Sequence, residues 1–306
     1  MAELRTNATL QWFRTRTHRI SLANRTLVMG ILNVTPDSFS DGGRFFDPLH
    51  AFDQAQAMIE AGADIIDVGA ESSRPGAVPL PEQDEIQRLR PILTLLGQHL
   101  AVPLSVDTQK SAVARLALDL GVSIVNDISA LRSDPFMGAV IAQAKAGVVL
   151  MHMQGTPATM QQCCTYGDVV EDVKKFLSDR VRVAQSFGIE TDQIIIDPGI
   201  GFAKNTHQNL MLLKGLQFLN DIGCPVLVGP SNKSFIGEVL NKPVSERMIG
   251  TAAVVAASVL NGAKIVRVHD VRPMKDVVRM IDVIKCPGWV DEEEERTCGN
   301  FSELMG

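Results

Sequence analysis

The sequence predicts a closed barrel of eight parallel β-strands, each followed by an α-helix. Short β-branched runs alternate strictly with amphipathic stretches of helical periodicity. Such alternation implies parallel strands joined by right-handed crossovers, and eight units in about 270 residues match a (β/α)8 (TIM) barrel. An open, doubly wound sheet is the alternative. The predicted organisation is an N-terminal extension (1–17), the barrel (18–286) and an acidic C-terminal tail (287–306).

A β-hairpin is predicted to precede the barrel and to plug its bottom. Its two arms are His18–Leu22 and Thr26–Met29, joined by Ala23-Asn24-Arg25. The barrel strands are then predicted in chain order at Leu27–Asn33, Ile65–Gly69, Pro103–Asp107, Ser123–Asp127, Gly147–Met151, Gln193–Asp197, Pro225–Gly229 and Lys264–His269.

Helices are predicted between the strands from capping residues and apolar stripes. Pro48–Gly62 begins with Asp47 as N-cap and Pro at the first helical position. Apolar residues at helical spacing predict further helices over 86–96 and over 248–259, the latter after Ser245 as N-cap.

Composition excludes several classes of function. The chain has 306 residues, and its apolar runs are far shorter than the roughly 20 residues of a membrane span. The N-terminus lacks a signal-peptide pattern, so a cytosolic location is expected. A net charge of −6 argues against binding along nucleic acid. The five cysteines, Cys163 and Cys164 among them, lack zinc-like spacing and are expected to be reduced.

Polar residues end nearly every predicted strand. In a barrel the carboxyl ends of all strands meet at one mouth, so these residues are expected to form one polar ring. A single Asp at a strand end more often caps a turn, and Asp127 fits that interpretation. The strand-end residues are Asn33, Asp67 with Glu71, Asp107, Asn126 with Asp127, His152, Asp197, Asn232 with Lys233, and Arg267 with His269.

The acids of this ring favour a donor-rich heterocycle as ligand. Asp107 and Asp197, which are expected to share one cavity with the amide of Asn126, would accept from an exocyclic amine and ring N–H such as those of a pterin or guanine edge. A Mg²⁺ site on the same side chains is the alternative. Lys233 and Arg267 at the same mouth oppose a cation held by the protein alone.

The cations of the ring predict a phosphate or diphosphate site. Arg267 and His269 alternate along the last strand and face the same side, and Asn33 adds a donor. The alternative is a structural Arg–Asp pair at the rim. The segment that ends in Lys233-Ser234 opens a helix whose free N–H groups favour an anion such as a carboxylate. A plain N-cap at Ser231 or Ser234 is equally compatible.

Two loops have compositions typical of active-site lids. Residues 35–44 and 72–76 are polar, contain Gly and follow the first two barrel strands. Phe39 beside Asp37 suggests closure over a planar ligand.

Seven sequence blocks together resemble the dihydropteroate synthase family. They are MGILNVTPDSFSDGG at 29–43, DVGAESSRPG at 67–76, SVDT at 105–108, NDIS at 126–129, DPGIGF at 197–202, SNKS at 231–234 and RVHD at 267–270. The resemblance spans roughly residues 18–285, with one block at nearly every loop of the barrel mouth.

The resemblance implies condensation of p-aminobenzoate with 6-hydroxymethyl-7,8-dihydropterin diphosphate. Departure of the leaving group before the amine attacks is expected on physical grounds, because the pterin methylene can spread positive charge into the ring. The resemblance also implies Mg²⁺ near Asn33 and a homodimer through late helices near 251–261, although the apolar face there could equally be barrel packing. The implied site residues are, for the pterin, Asp107, Asn126, Asp197 and Lys233; for the diphosphate, Asn33, Arg267 and His269; and for p-aminobenzoate, Ser73, Arg74, Pro75 and Ser234. The residues expected to take part in the chemistry are Lys233, Arg267, His269 and Asp37, the last as the candidate that stabilises the transient cation.

The chain departs from the family pattern at three positions. Asn232 stands where Arg is usual, which removes a cationic plane from the aminobenzoate end of the site. Ala70 and Ser73, where Gly and Thr are usual, are milder changes. Two rival functions stay open, namely a pterin-binding methyltransferase domain and a non-catalytic pterin-binding paralogue.

Overall fold

The computed structural model describes residues 11–34, 47–71, 76, 79–156, 159–160 and 165–287. The strands are β1 (Trp12–Arg14), β2 (Arg19–Ser21), β3 (Leu27–Asn33), β4 (Ile65–Gly69), β5 (Leu104–Asp107), β6 (Ile124–Asp127), β7 (Gly147–Met151), β8 (Ile194–Asp197), β9 (Leu227–Val228) and β10 (Ile265–Val268). The helices are α1 (Pro48–Glu60), α2 (Glu82–His99), α3 (Ser111–Asp119), α4 (Met137–Ala144), α5 (Val169–Ser186), α6 (Thr206–Lys214), α7 (Ser234–Leu240), α8 (Met248–Leu260) and α9 (Val271–Lys285).

Strands β3 to β10 form the predicted eight-stranded parallel barrel. They are hydrogen-bonded in the order β8-β7-β6-β5-β4-β3-β10-β9. A parallel bridge between Ile196 and Val226 joins the two ends of this order and closes the sheet. The closure excludes the open doubly wound sheet. Three predicted strands match the observed bounds, and the largest difference is at β9, where Pro225 lacks the N–H that a full ladder needs.

The hairpin exists, but its predicted strand pairing is wrong. β1 pairs with β2 in antiparallel register, with Phe13 opposite Ile20. Thr26–Met29 does not form the second arm, because Leu27 and its successors belong to β3 and pair in parallel with β10. The first arm therefore lies within the segment predicted to be an N-terminal extension.

The hairpin plugs the bottom of the barrel as predicted. Phe13, Ile20 and Leu22 are buried in one cluster with the inward side chains of the barrel strands. Gly147 at the start of β7 makes room for this plug, since a Cβ there would lie 2.5 Å from Phe13 Cζ. Arg14 fastens the hairpin to the barrel through ion pairs with Asp192 and Glu190, at 2.9 and 2.6 Å.

The helices confirm one predicted cap and correct another. The Asp47 carboxylate accepts from Leu49 N at 2.9 Å at the start of α1, as predicted. Ser245 is not the N-cap of α8, because it lies within a 3-10 turn over Val244–Glu246 and the cap position is Arg247. In the described part of the chain, no helix has both the length and the apolar character required to cross a membrane.

Candidate active site

The parallel register brings the polar strand ends to one mouth of the barrel. Asp107, the last residue of β5, lies opposite Gly69 on β4 and Asn126 on β6. Asp197, the last residue of β8, lies opposite Met151 on β7. Because every strand runs in the same direction, side chains more than 150 positions apart line one cavity.

Asp67 was predicted to belong to the polar ring but was given no ligand, and it is the acceptor at the floor of this cavity. Its carboxylate is fully buried, and its Oδ2 accepts from Asn126 Nδ2 at 2.9 Å and from Arg267 Nε at 2.6 Å. Its Oδ1 has no hydrogen-bond partner among the described residues. The Asn126 amide, predicted to line one cavity with Asp107 and Asp197, therefore has one of its two N–H donors bound to Asp67.

The position of Asp67 follows from the alternation of side chains along β4. Its neighbours Ile66 and Val68 pack toward the helices, whereas Ile65 lies in the cluster at the barrel interior. Since side chains alternate along a strand, Asp67 faces the interior with Ile65. A carboxylate in that position needs a donor, and Arg267 on β10 supplies it.

Arg267 is clamped between two carboxylates. Besides its bond to Asp67, its Nη2 donates to Asp107 Oδ2 at 2.9 Å. The structural Arg–Asp pair that the sequence left open is thus present. Burial lowers the pKa of Arg267, but the charges of Asp67 and Asp107 outweigh it and leave the pKa above its ordinary value. The guanidinium stays charged at the mouth.

The two strand-end acids titrate near neutrality. Burial is the main cause that raises the pKa of Asp107 to about 7, opposed by the charge of Arg267 and reinforced by that of Asp67. Burial likewise raises the pKa of Asp197 to about 6, although Gly199 N donates to its Oδ1 at 2.7 Å. Each carboxyl can therefore gain or lose a proton when a ligand enters.

Lys233 is the second cation of the pocket. Burial, followed by the charge of Arg267, lowers its pKa to about 8, and the carboxylates of Asp197 and Asp107 oppose that shift. Its Nζ lies 4.0 Å from the ring centroid of Phe202. The predicted site residues Asp107, Asn126, Asp197, Lys233 and Arg267 thus form one electrostatic cluster.

Asn33 and His269 form an outer edge of the same site. Asn33 Nδ2 lies 3.5 Å from His269 Nε2, and Ser231 Oγ lies 2.9 Å from His269 Nδ1. Ser231 therefore orients the exposed imidazole, a contact that sequence reasoning missed. Neither Ser231 nor Ser234 is the N-cap of α7, which begins after Lys233 without a side-chain cap; Ser234 is its exposed first residue.

Several sequence predictions lie outside the described residues. These are the predicted roles of Asp37, Ser73, Arg74 and Pro75, the cysteines Cys163 and Cys164, and all but the first residue of the acidic tail. Asp127, in contrast, is described and has the turn role expected of it. Its carboxylate accepts from Ser129 N at 2.8 Å and from Leu131 N at 2.7 Å.

Comparisons with known proteins agree with this geometry. Residues 29–269 match the pterin binding enzyme family. The dihydropteroate synthase of Synechocystis sp. is 48% identical over 261 residues, which cover 85% of this chain and 90% of that protein. The crystal structure of Yersinia pestis dihydropteroate synthase with a sulfonamide drug superposes with a TM-score of 0.84 at 40% identity, over 90% of this chain and 99% of that one.

A further solved structure is equally similar. The Xanthomonas albilineans dihydropteroate synthase with 4-aminobenzoic acid has a TM-score of 0.84 at 38% identity and covers 90% of this chain and 98% of its own. The match to the family model and the sequence identity to these synthases over most of the chain agree with the seven sequence blocks at the barrel mouth. The chain belongs to the pterin binding enzyme family and, within it, to the dihydropteroate synthases.

Proposed function

We propose that this chain condenses p-aminobenzoate with 6-hydroxymethyl-7,8-dihydropterin diphosphate to give 7,8-dihydropteroate and pyrophosphate. The observation that carries the proposal is the division of one cavity into a floor of acceptors and a wall of cations. Asp107, Asn126 and Asp197 form the floor, and Lys233 and Arg267 stand beside them. A heterocycle rich in donors that carries an anionic leaving group matches both halves.

The pterin is recognised through the floor. One N–H of the Asn126 amide donates to Asp67, so its second N–H and its carbonyl oxygen are the parts left to meet the ligand. Asp107 and Asp197 accept from the exocyclic amine and ring nitrogen. The Lys233 ammonium donates to the pterin carbonyl oxygen.

The diphosphate leaves before the amine attacks. Arg267, His269 and Asn33 bind its oxygens, and cations held in advance stabilise the charge that develops on departure. The pterin methylene spreads its positive charge into the ring, so no protein nucleophile is needed. Asp37, outside the described residues, is assigned to the transient cation. The aniline nitrogen of p-aminobenzoate forms the new bond to the methylene and then loses one proton to solvent.

Mg²⁺ is proposed to bind together with the diphosphate. Within the described residues no group of three or more His, Cys, Asp or Glu side chains could hold a metal. Magnesium often takes one or two protein oxygens and completes its shell with substrate phosphates and water. The partly exposed Asn33 fits as that single protein oxygen, and the metal would neutralise the leaving group.

p-Aminobenzoate is proposed to lie at the start of α7. Ser234, exposed as the first residue of that helix, meets its carboxylate, and Ser73, Arg74 and Pro75 frame it from the second loop. Asn232 lies beside this position and lacks the charge that the family usually places there. Weaker binding of p-aminobenzoate and of sulfonamides is the expected consequence.

Pyrophosphate release tests the function and separates its rivals. The protein is incubated with Mg²⁺ and the pterin diphosphate, with and without p-aminobenzoate. Release that requires p-aminobenzoate supports the synthase, whereas tight pterin binding without release identifies the non-catalytic paralogue. The clamped Arg267 weighs against a methyltransferase, since that reaction has no diphosphate to stabilise. The cytosolic location stays a prediction.

A homodimer through the late helices, near residues 251–261, is part of the proposal. Thr251, Val255 and Val259 pack into the barrel, but several large apolar side chains of α8, and of α7 and the 3-10 turn that precede it, are exposed. Ile249 is the most exposed of them, at 77%. The exposed set is Val239, Leu240, Val244, Met248, Ile249 and Leu260.

Light scattering after size-exclusion chromatography tests the dimer. Ile249→Asp is expected to give monomers, because a charge at the centre of an apolar interface is left unpaired. Leu49→Asp on α1, where the side chain is 64% exposed, is the matched control and is expected to leave the dimer intact. A monomeric wild-type protein would refute this assignment.

A further inference from the structure

Lys204 is a buried lysine just outside the ring of substrate-facing residues. Only 3% of it is exposed, and it follows the turn that leads from β8 toward α6. Its Nζ donates to Gly199 O, to Phe202 O and to His152 Nδ1, each at 3.0 Å. An ammonium group has three N–H donors, so these three bonds use all of them.

His152 is suited to accept from this ammonium. It follows β7 and is almost fully buried, and its ring meets Phe176 edge-on with centroids 4.8 Å apart. Burial is the main cause that lowers the pKa of His152 to about 2, followed by the charges of Lys204 and Arg132. The imidazole is therefore neutral, and Nδ1 carries the lone pair that Lys204 requires.

The turn that Lys204 grips has an unusual backbone. Gly199, Gly201 and Ala203 have φ values of 68°, 82° and 49°, in the left-handed region. Phe202 N donates to Gly199 O at 3.0 Å, so the Gly199 carbonyl accepts from both the turn and Lys204. A Cβ on Gly199 would lie 2.0 Å from His152 O, which shows how closely the turn is pressed onto the end of β7.

The other side of the same turn is the wall that supports Lys233. The Phe202 ring lies 4.0 Å from Lys233 Nζ, a distance at which the cation is attracted to the ring face. Gly201 packs on the Lys233 stem, since a Cβ there would lie 2.8 Å from Lys233 Cδ. One short turn thus has Lys204 on its inner side and Lys233 on its outer side.

We propose that Lys204 is a positioning residue: by holding the carbonyl groups of Gly199 and Phe202 against His152, it fixes the turn that aims the Lys233 ammonium at the pterin. The inference rests on the proposed function, in which Lys233 donates to the pterin. Lys204 itself meets no substrate. Its effect should therefore appear in pterin binding and leave p-aminobenzoate binding unchanged.

Lys204→Met tests the role, with Lys264→Met as the matched control. Lys264 is another partly buried lysine whose Nζ donates to a backbone carbonyl, that of Leu22 at 3.1 Å, but it lies at the hairpin end of the barrel. We expect Lys204→Met to raise the dissociation constant of pterin, measured by calorimetry, at least tenfold. The KM for p-aminobenzoate should stay within twofold, and Lys264→Met should change neither.

The pH profile adds a readout that a merely structural role would not move. Lys233 faces the charges of Arg267, Asp197 and Asp107, and it must be protonated to donate. Pterin binding to the wild type therefore weakens as the pH rises through the Lys233 pKa of about 8. Once the turn relaxes in Lys204→Met, water reaches Lys233 and its pKa rises toward the ordinary value. The alkaline limb of pterin binding should then move to higher pH, and it should not move in Lys264→Met.

Each other outcome overturns the inference. Unchanged pterin affinity, an unmoved alkaline limb, or an equal loss of pterin and p-aminobenzoate binding would do so. If Lys204→Met is insoluble, His152→Phe removes one of the three acceptors at nearly constant volume, and at least threefold weaker pterin binding is then required. Failure of the proposed function itself is distinct, because the wild type would then release no pyrophosphate.

Discussion

Replacing Arg267 by Met separates two roles of one guanidinium, its observed ion pairs and the proposed stabilisation of the diphosphate. Its Nε and Nη2 lie 2.6 Å and 2.9 Å from the carboxylates of Asp67 and Asp107, and the same group faces the proposed diphosphate site. Met keeps much of the aliphatic volume but leaves both carboxylates without their cation. Removing one partner of a buried ion pair costs about 3–5 kcal/mol. At about 2–4 °C per kcal/mol, the midpoint of thermal unfolding should fall by roughly 10 °C.

A second variant isolates the effect on chemistry. Asp67→Asn added to Arg267→Met removes the fully buried charge that the single variant leaves uncompensated. The charge of Arg267 lowers the pKa of Asp107, so removing Arg267 moves the pKa of Asp107 above about 7. Asp107 is then protonated and carries no uncompensated charge. In the double variant, the decrease in the midpoint of thermal unfolding should therefore be at most half of the decrease in Arg267→Met. Turnover should stay about 100- to 1,000-fold below wild type, the usual cost of losing a donor that stabilises developing charge.

Calorimetry and p-aminobenzoate-dependent pyrophosphate release measure the two effects on the same samples, with Asp67→Asn alone as the control for its own effect. If turnover returns together with the unfolding temperature in the double variant, Arg267 serves only as a counter-ion. Turnover of Arg267→Met within a few-fold of wild type would refute the diphosphate role as well.

Three further predictions concern other parts of the chain. Asn232→Arg should lower the KM for p-aminobenzoate several-fold and cost about 1 kcal/mol in stability, because Asn232 has a φ of 58° that Arg adopts less readily; an unchanged KM in steady-state assays would contradict it. The folded-state pKa of His152 lies far below its ordinary value, so stability is lost as the pH falls below about 6.5. Between pH 6.5 and pH 4.5, the free energy of unfolding measured in urea should therefore fall by about 2 kcal/mol more in the wild type than in His152→Phe. Equal decreases would refute the buried neutral imidazole. Gly97→Ala should destabilise by about 1–3 kcal/mol with unchanged activity per folded molecule, because its Cβ would lie 2.0 Å from Leu120 O; a wild-type unfolding temperature would show that α2 and α3 separate freely.

Periodicity was enough to predict the barrel, because its strands are buried on both sides and read as apolar runs between amphipathic helices. The hairpin shows where that reasoning stops. Thr26–Met29 has strand composition, but composition does not choose between an antiparallel arm and the first parallel strand. The choice follows from long-range contacts, since Phe13 fills the barrel bottom and β3 pairs with β10.

The gathering of the polar side chains was predictable, whereas their pairing was not. Topology alone places Asp107, Asp197, Lys233 and Arg267 at one mouth. Which carboxylate holds which donor depends on distances of a few tenths of an ångström, and these follow from packing. Asp67 shows the difference, because its charge is evident in the sequence but its bond to Arg267 spans 200 positions of the chain.

The ion pairs of Arg267 with Asp67 and Asp107 are compatible with both roles that the sequence left open, a structural ion pair and a ligand of the proposed diphosphate. A guanidinium has five N–H donors, and the bonds to Asp67 and Asp107 use one at Nε and one at Nη2. The remaining donors are available to an anion at the mouth. A cation that is already fixed needs no reorganisation when the leaving group develops its charge, which is the condition under which such a group accelerates a reaction most. The structural pair is therefore the feature that would make Arg267 effective toward the proposed diphosphate.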